Sequence, residues 1–153
     1  MASARALGLA AALAALPLAG CSSAPRQLDD VGAYAARYAL EMQGKPYRYG
    51  GNTPRGFDCS GLVQWSYARA GARIPRTTQA LWKASRRVST HHLRTGDLLF
   101  FNEDGKRSSH VALYLGNDRF VHAPATGKSV SVGRLDDPYW RRHFEGARRP
   151  RID

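Results

Sequence analysis

Cysteine is nearly absent: Cys21 and Cys59 are the two thiols among 153 residues. One disulfide is the most they permit, and their contexts set them apart, since Cys21 closes an apolar leader and Cys59 opens a helix-like pattern. Long apolar runs are missing too. Residues 6–18 form a run of Ala and Leu broken only by Gly8 and Pro17, too short for the roughly 20 residues of a permanent membrane-crossing helix. Acidic residues are few, 12 Asp and Glu against 23 Lys and Arg, giving a formal net charge of +11 at pH 7. The excess thickens toward the end of the chain at Arg134, Arg141, Arg142, Arg148, Arg149 and Arg151. Such a charge suits polyanions, whether nucleic acid, anionic lipid or anionic wall polymer, and equally suits a solvated basic face. No groove-reading motif or interleaved aromatic platform accompanies the arginines, so nucleic acid is not an expected partner. There is no internal repeat. At 43% hydrophobic and 23% charged, the composition excludes wholesale disorder, and the length suits one domain.

Residues 1–20 have the anatomy of a secretory signal, with Arg5 before the apolar run and small residues at its close. Leu18-Ala19-Gly20-Cys21 resembles a bacterial lipobox. That resemblance implies cleavage before Cys21 and lipidation of its thiol; a plain cleaved signal with an incidental cysteine is the alternative. Several acyl chains would anchor the chain to a membrane where one would not. Ser22 stands where an aspartate would signal inner-membrane retention, so the expected location is the outer membrane, facing the periplasm. The chain thus divides into a leader (1–20), a lipidated cysteine with a short tether (21–28), and one domain (29–153). A tether of this size reaches on the order of 20 Å, so the domain works close to its membrane.

Within the domain, Asp29 and Asp30 offer capping oxygens for a first helix whose apolar face is Val31, Tyr34, Ala35, Tyr38, Ala39 and Met42. Gly44 and Pro46 stop it. A second helix runs from Cys59 to about Ala70, with Leu62, Val63, Ser66, Tyr67 and Ala70 inward, and Pro75-Arg76-Thr77-Thr78 introduces a short third one. Strand signals follow at 98–101, at 111–115 and 120–123 around the turn Gly116-Asn117-Asp118-Arg119, and at Val130 and Val132. Trp140 and Phe144 are anchors of a short terminal segment. Helices first and strands later indicate an α+β fold.

Cys59 at a first helical turn meets the positive end of the helix dipole, which favours the thiolate; the carboxylate of Asp58 opposes it unless spent as the N-cap. A nucleophilic thiol needs a base and a group to orient that base, and His110 and His122 are the candidates. Both lie in strand-like runs joined by a turn. Because side chains alternate along strands, a bulge-free hairpin brings both to one face only with an odd loop. A three- or five-residue loop, or a bulge near 116–119, is therefore expected. Other readings stay open on the residues alone: an inert buried cysteine, satisfied core histidines, or a metal site of these three residues, although no two of them stand three or four apart. His91, His92 and His143 sit in polar surroundings.

The motifs Gly44-Lys45-Pro46-Tyr47-Arg48-Tyr49-Gly50-Gly51, Phe57-Asp58-Cys59-Ser60-Gly61-Leu62-Val63, Pro75-Arg76-Thr77, Gly96-Asp97-Leu98-Leu99-Phe100-Phe101, Ser109-His110-Val111-Ala112 and Phe120-Val121-His122-Ala123 resemble, in order and spacing, the NlpC superfamily of papain-like cell-wall peptidases. The small lipid-anchored members from Gram-negative bacteria are especially similar. The resemblance implies N-terminal helices packed on a central antiparallel sheet, with the nucleophile at a helix N-terminus. It implies Cys59 as nucleophile, His110 as base and later acid, and His122 as its orienter. Tyr47 matches a tyrosine near the oxyanion, and Asp58 and Ser60 match positions lining the substrate cleft; aromatic packing for Tyr47 and helix capping for Asp58 and Ser60 are the alternatives. The implied substrates are stem peptides of peptidoglycan, cut at the D-alanyl–diaminopimelate cross-link or the γ-D-glutamyl–diaminopimelate bond, with no metal or organic cofactor, by a monomer. A non-catalytic wall-binding lipoprotein and a thiol acyltransferase or amidase are the competing functions.

Overall fold

The computed structural model describes Met1 and residues 28–152. The remaining leader, Cys21, the tether to residue 27 and Asp153 lie outside the described residues. Helix α1 (Leu28–Glu41) buries Val31, Ala35 and Ala39 at four-residue spacing, and these short side chains let it lie close against α2 (Cys59–Arg69). It begins earlier than its aspartates suggest, at Leu28, so that Asp29 and Asp30 fall within the helix. Tyr34, expected on the inner face, is 39% exposed, with the Arg37 guanidinium 5.3 Å from its ring. Gly44, at φ +86°, turns the chain out of the helix. Pro46 and Tyr47 then run extended, bridging to Ser129 and Phe57, beside the two-stranded hairpin β1 (Asn52–Thr53) and β2 (Gly56–Phe57). α3 (Thr78–Ala84) starts at Thr77, whose hydroxyl accepts from the Ala80 N–H.

The sheet contains β3 (Ser85–Val88), β4 (Leu98–Phe101), β5 (His110–Gly116), β6 (Arg119–His122), β7 (Ser131–Arg134) and β8 (Phe144–Pro150), in the order β3-β8-β4-β5-β6-β7, all neighbours antiparallel. The expected α+β architecture, helices on an antiparallel sheet, is what forms. Two strands, β3 and β8, carry no apolar alternation and so give no strand signal in the sequence. Their arginines are held by the fold instead: Arg149 Nε reaches the buried Asp97 carboxylate at 2.6 Å, and the Arg148 guanidinium lies 3.8 Å over the Trp82 ring. Helix α4 (Pro138–His143) precedes β8 and is capped by Asp137.

Both faces of the sheet are covered, which explains the unbroken run Leu98-Leu99-Phe100-Phe101, fully buried throughout. Leu98, Phe100, Val111, Leu113 and Val121 join the core shared with α1 and α2, whereas Leu99, Phe101, Ala112, Tyr114 and Phe120 pack with Trp140 and Phe144 on the other side. The β5–β6 turn answers the register question. Asn117 and Asp118, at φ +52° and +56°, make a tight two-residue turn. Gly116 pairs with Arg119, but Tyr114 pairs with Phe120, so Leu115 is a bulge residue. The bulge shifts the register by one and puts His122 on the same face as Ala112 and His110.

Candidate active site

The site is built on the first turn of α2, where Cys59 is the first helical residue and Asp58, in extended conformation, is its N-cap. Asp58 Oδ1 accepts from the Gly61 N–H at 2.7 Å, and Oδ2 accepts from the Gly50 N–H at 3.1 Å. Arg76 then grips both oxygens, Nη1 to Oδ1 at 2.9 Å and Nη2 to Oδ2 at 2.8 Å, while Nη1 also donates to Ser60 Oγ at 2.9 Å. The carboxylate beside the thiol is thus spent on backbone donors and a guanidinium. Gly61 lets this happen. Its missing Cβ would fall 1.9 Å from the Gly51 carbonyl oxygen, so the loop carrying Tyr47 rests directly on the helix start.

Cys59 is half-buried, and its Sγ lies 3.7 Å from Thr78 Oγ1 on α3. Burial pushes the thiol above its ordinary value; the Thr78 hydroxyl and the backbone N–H groups of Val111 and Ser60 pull it back without winning, and Asp58 adds to the rise. The expectation that the helix start favours the thiolate is therefore outweighed by desolvation in the free protein. The Val111 contact matters for another reason: it sets the sulfur against the beginning of β5, one residue from His110.

His110 and His122 are buried, 3% and 4% exposed, and His110 Nε2 lies 2.8 Å from His122 Nδ1. With Nε2 of His110 donating, its Nδ1 keeps a free lone pair. The two rings meet edge to face and address each other, not a common point as metal ligands would. Trp140 stacks on His110 and meets His122 edge-on, fixing both rings. Burial, with His122 beside it, lowers His110 to about 3, and burial lowers His122 to about 4. Both are neutral in the folded protein near pH 7.

That neutrality has a measurable cost in acid. An exposed histidine takes its proton near 6.5, and here the fold resists it until about 3 and about 4. Stability is complete above pH 6.5 and drains as pH falls toward those values, on the order of 2 kcal/mol per histidine by about pH 4.5. Urea midpoints should fall correspondingly between about pH 7.5 and 4.5, and His122→Gln should flatten the dependence. The same slope in wild type and variant would contradict a neutral buried pair.

A cleft of about 490 Å³ opens over the thiol, lined by Tyr47, Asp58, Cys59, Ser60, Arg76 and Ser109 among others. The cleft thus gathers Tyr47, Asp58, Cys59 and Ser60, while His110 begins β5 and His122, at the end of β6, lines a second cavity. Tyr47 keeps its hydroxyl proton, its pKa raised by burial first and then by Cys59 and Asp58. Ser60 is buried beneath Arg76. Residues the sequence reading left without a site role are Arg76, Thr78 and Glu103, the last 3.7 Å from His110 Nδ1 through Oε2. The Pro75-Arg76-Thr77 motif marked the first of these; nothing local marked the others. His143, in polar sequence surroundings, is half-buried with Nδ1 2.7 Å from the Tyr139 carbonyl.

A cysteine heading a helix against an antiparallel sheet, with a histidine pair at the adjoining strand, defines the papain-like α+β class. Residues 44–149 match the NlpC/P60 family, and the chain belongs to it. The chain is 42% identical over 115 residues to murein DD-endopeptidase MepH of Escherichia coli, covering 72% of this chain and 42% of that one. It is 44% identical over 109 residues to the bifunctional muramidase/DL-endopeptidase CwlT of Bacillus subtilis, covering 69% and 32%. It therefore spans less than half the length of these two relatives. Among solved structures, a Staphylococcus aureus protein described as similar to lipoprotein, NLP/P60 family, superposes with TM-score 0.71 at 39% identity, covering 84% of this chain and 44% of that one.

Proposed function

We propose that the domain is a cysteine peptidase that hydrolyses stem-peptide bonds of peptidoglycan. The observation that carries this reading is the meeting of Cys59, at the head of α2, with the strand that starts at His110, itself bonded to His122. In the reaction, the Cys59 sulfur attacks the peptide carbonyl carbon as its proton passes to His110 Nδ1. The Tyr47 hydroxyl and the Cys59 N–H donate to the oxyanion. His110 returns the proton to the leaving amine, and water then attacks the thioester, freeing the acid and the thiol. His122 holds His110 in the tautomer whose Nδ1 can accept. Asp58, Ser60 and Arg76 form the polar wall of the cleft facing the acyl side of the substrate.

Of the two bonds, we favour the D-alanyl–diaminopimelate cross-link. MepH is named a DD-endopeptidase, and the resemblance to the small lipid-anchored Gram-negative members of the family points the same way. CwlT, named a DL-endopeptidase, supports the γ-D-glutamyl bond as the second reading. Digesting purified sacculi and identifying the products by mass spectrometry separates them: cross-linked dimers should convert to monomers. Loss of diaminopimelyl peptides from monomers would overturn the choice of bond, and no product at all would overturn the peptidase reading. On the Leu18-Ala19-Gly20-Cys21 pattern we also propose lipidation at Cys21, anchoring a monomer to the outer membrane, facing the periplasm.

A further inference from the structure

His110 must carry a positive charge during the proposed reaction, yet its surroundings are poor in negative charge. It is buried between Phe101 and Trp140, and its bonded partner is a second neutral imidazole. The aromatic faces help a cation only modestly. One carboxylate comes near: Glu103 Oε2, 3.7 Å from His110 Nδ1. This is the nitrogen left free by the bond to His122.

Glu103 is held in that position. Its Oε1 accepts from the Tyr139 hydroxyl at 2.9 Å, and its backbone N–H donates to Ser109 Oγ at 2.9 Å. Ser109 Oγ in turn donates to the Phe101 carbonyl at 3.3 Å, tying both ends of the β4–β5 loop together beside His110. The Glu103 side chain remains 23% exposed and lines a cavity of about 450 Å³, as does Lys128, so the carboxylate keeps access to water.

We propose that Glu103 is a positioning residue for His110, supplying the counter-charge for the imidazolium formed when Nδ1 takes the Cys59 proton. A carboxylate oxygen facing a lone pair at 3.7 Å gives nothing to neutral His110. Facing an N–H of the imidazolium, it stabilises the charge. The interaction therefore strengthens as the proton transfers, which is the condition for it to accelerate the step. The balance is simple: the S–H bond breaks, an N–H bond forms at Nδ1, and Glu103 changes neither its bonds nor its proton.

The titratable surroundings are few. From β6 comes His122, which is neutral, and from α2 comes Cys59. Glu103 itself is raised above the usual carboxylate range by burial and by Asp104, and brought back by the Tyr139 hydroxyl and by His143 on α4. Lys128 lines the same cavity.

This inference rests on the peptidase reading, and its test does not need the substrate. The rate of Cys59 alkylation by iodoacetamide, followed against pH, separates the thiolate paired with imidazolium, which acts near neutral pH, from the thiolate beside neutral imidazole, which sets the alkaline limit. In Glu103→Gln the alkylation rate near neutral pH should fall about tenfold with no fall in the alkaline limit, and muropeptide release near neutral pH should slow about tenfold. Glu103→Asp should recover part of both, and Tyr139→Phe, which loosens the carboxylate, should lower the neutral rate less. An unchanged or higher rate near neutral pH in Glu103→Gln, or an equal fall in the alkaline limit, overturns the proposal, and Tyr139→Phe decides it in the same way if Glu103→Gln does not fold. A Cys59→Ala protein that still released muropeptides would sink the peptidase reading instead.

Discussion

Gly61→Ala is expected to destabilise the domain by about 3 kcal/mol or more and to abolish activity, although alanine is the better helix former. In an open helical position the change would gain up to about 1 kcal/mol. Here the new Cβ would lie 1.9 Å from the Gly51 carbonyl oxygen and 2.9 Å from Asp58 Oδ1, and the first of these is backbone. Overpacking ordinarily costs about 1–3 kcal/mol, and a collision with main chain cannot be relieved by a rotamer change. To admit the methyl, the loop holding Tyr47, Tyr49 and Gly50 must lift from α2. That breaks the Asp58 N–H bond to the Gly51 carbonyl and the Gly50 bond to the Asp58 carboxylate. Gly127→Ala is the fitting comparison. At φ +81°, with nothing near its would-be Cβ, it should lose only about 1 kcal/mol from the left-handed backbone. Urea denaturation of the two variants checks both numbers, and a Gly61→Ala protein as stable as wild type would show that the loop does not rest on the helix as described.

The constraint at Gly61 shows how motif and fold meet. Gly50-Gly51 and Asp58-Cys59-Ser60-Gly61 are adjacent runs in the sequence, and the reason they occur together is a contact between their backbones. The cap, the helix start and the inward face of α2 were all legible from local spacing. So was the need for a bulge between His110 and His122, because parity on a strand is arithmetic; the structure supplies that bulge at Leu115.

What local pattern could not show was anything settled by a distant partner. β8 looks like a charged tail until Arg149 meets Asp97 across the sheet and Arg148 covers Trp82. Arg76 was visible as part of a motif, but its grip on Asp58 needs the chain between residues 58 and 76 to fold back. That grip answers the doubt raised by a carboxylate next to the thiol: Asp58 caps the helix and shapes the cleft wall together. The state of the thiol was the one inference from local chemistry that reversed. A helix start favours a thiolate, but burial of Cys59 counts for more, so the resting pair is thiol and neutral imidazole. Proton transfer then belongs to the attack itself, which is why the surroundings of His110 matter.

The largest effect on activity is expected at Cys59. Its removal takes away the sulfur that forms the acyl intermediate, and rate losses for a missing nucleophile are on the order of a thousandfold or more. Loss of one sulfur from a half-buried site, leaving the Asp58 cap and the Arg76 grip intact, should hardly alter stability. The most direct test of the account is therefore to incubate sacculi with the domain and with Cys59→Ala at matched concentration, and to measure the muropeptides released. The account predicts release by the wild-type domain and none above background by a variant that unfolds at the same urea concentration. Equal release by both proteins would contradict it.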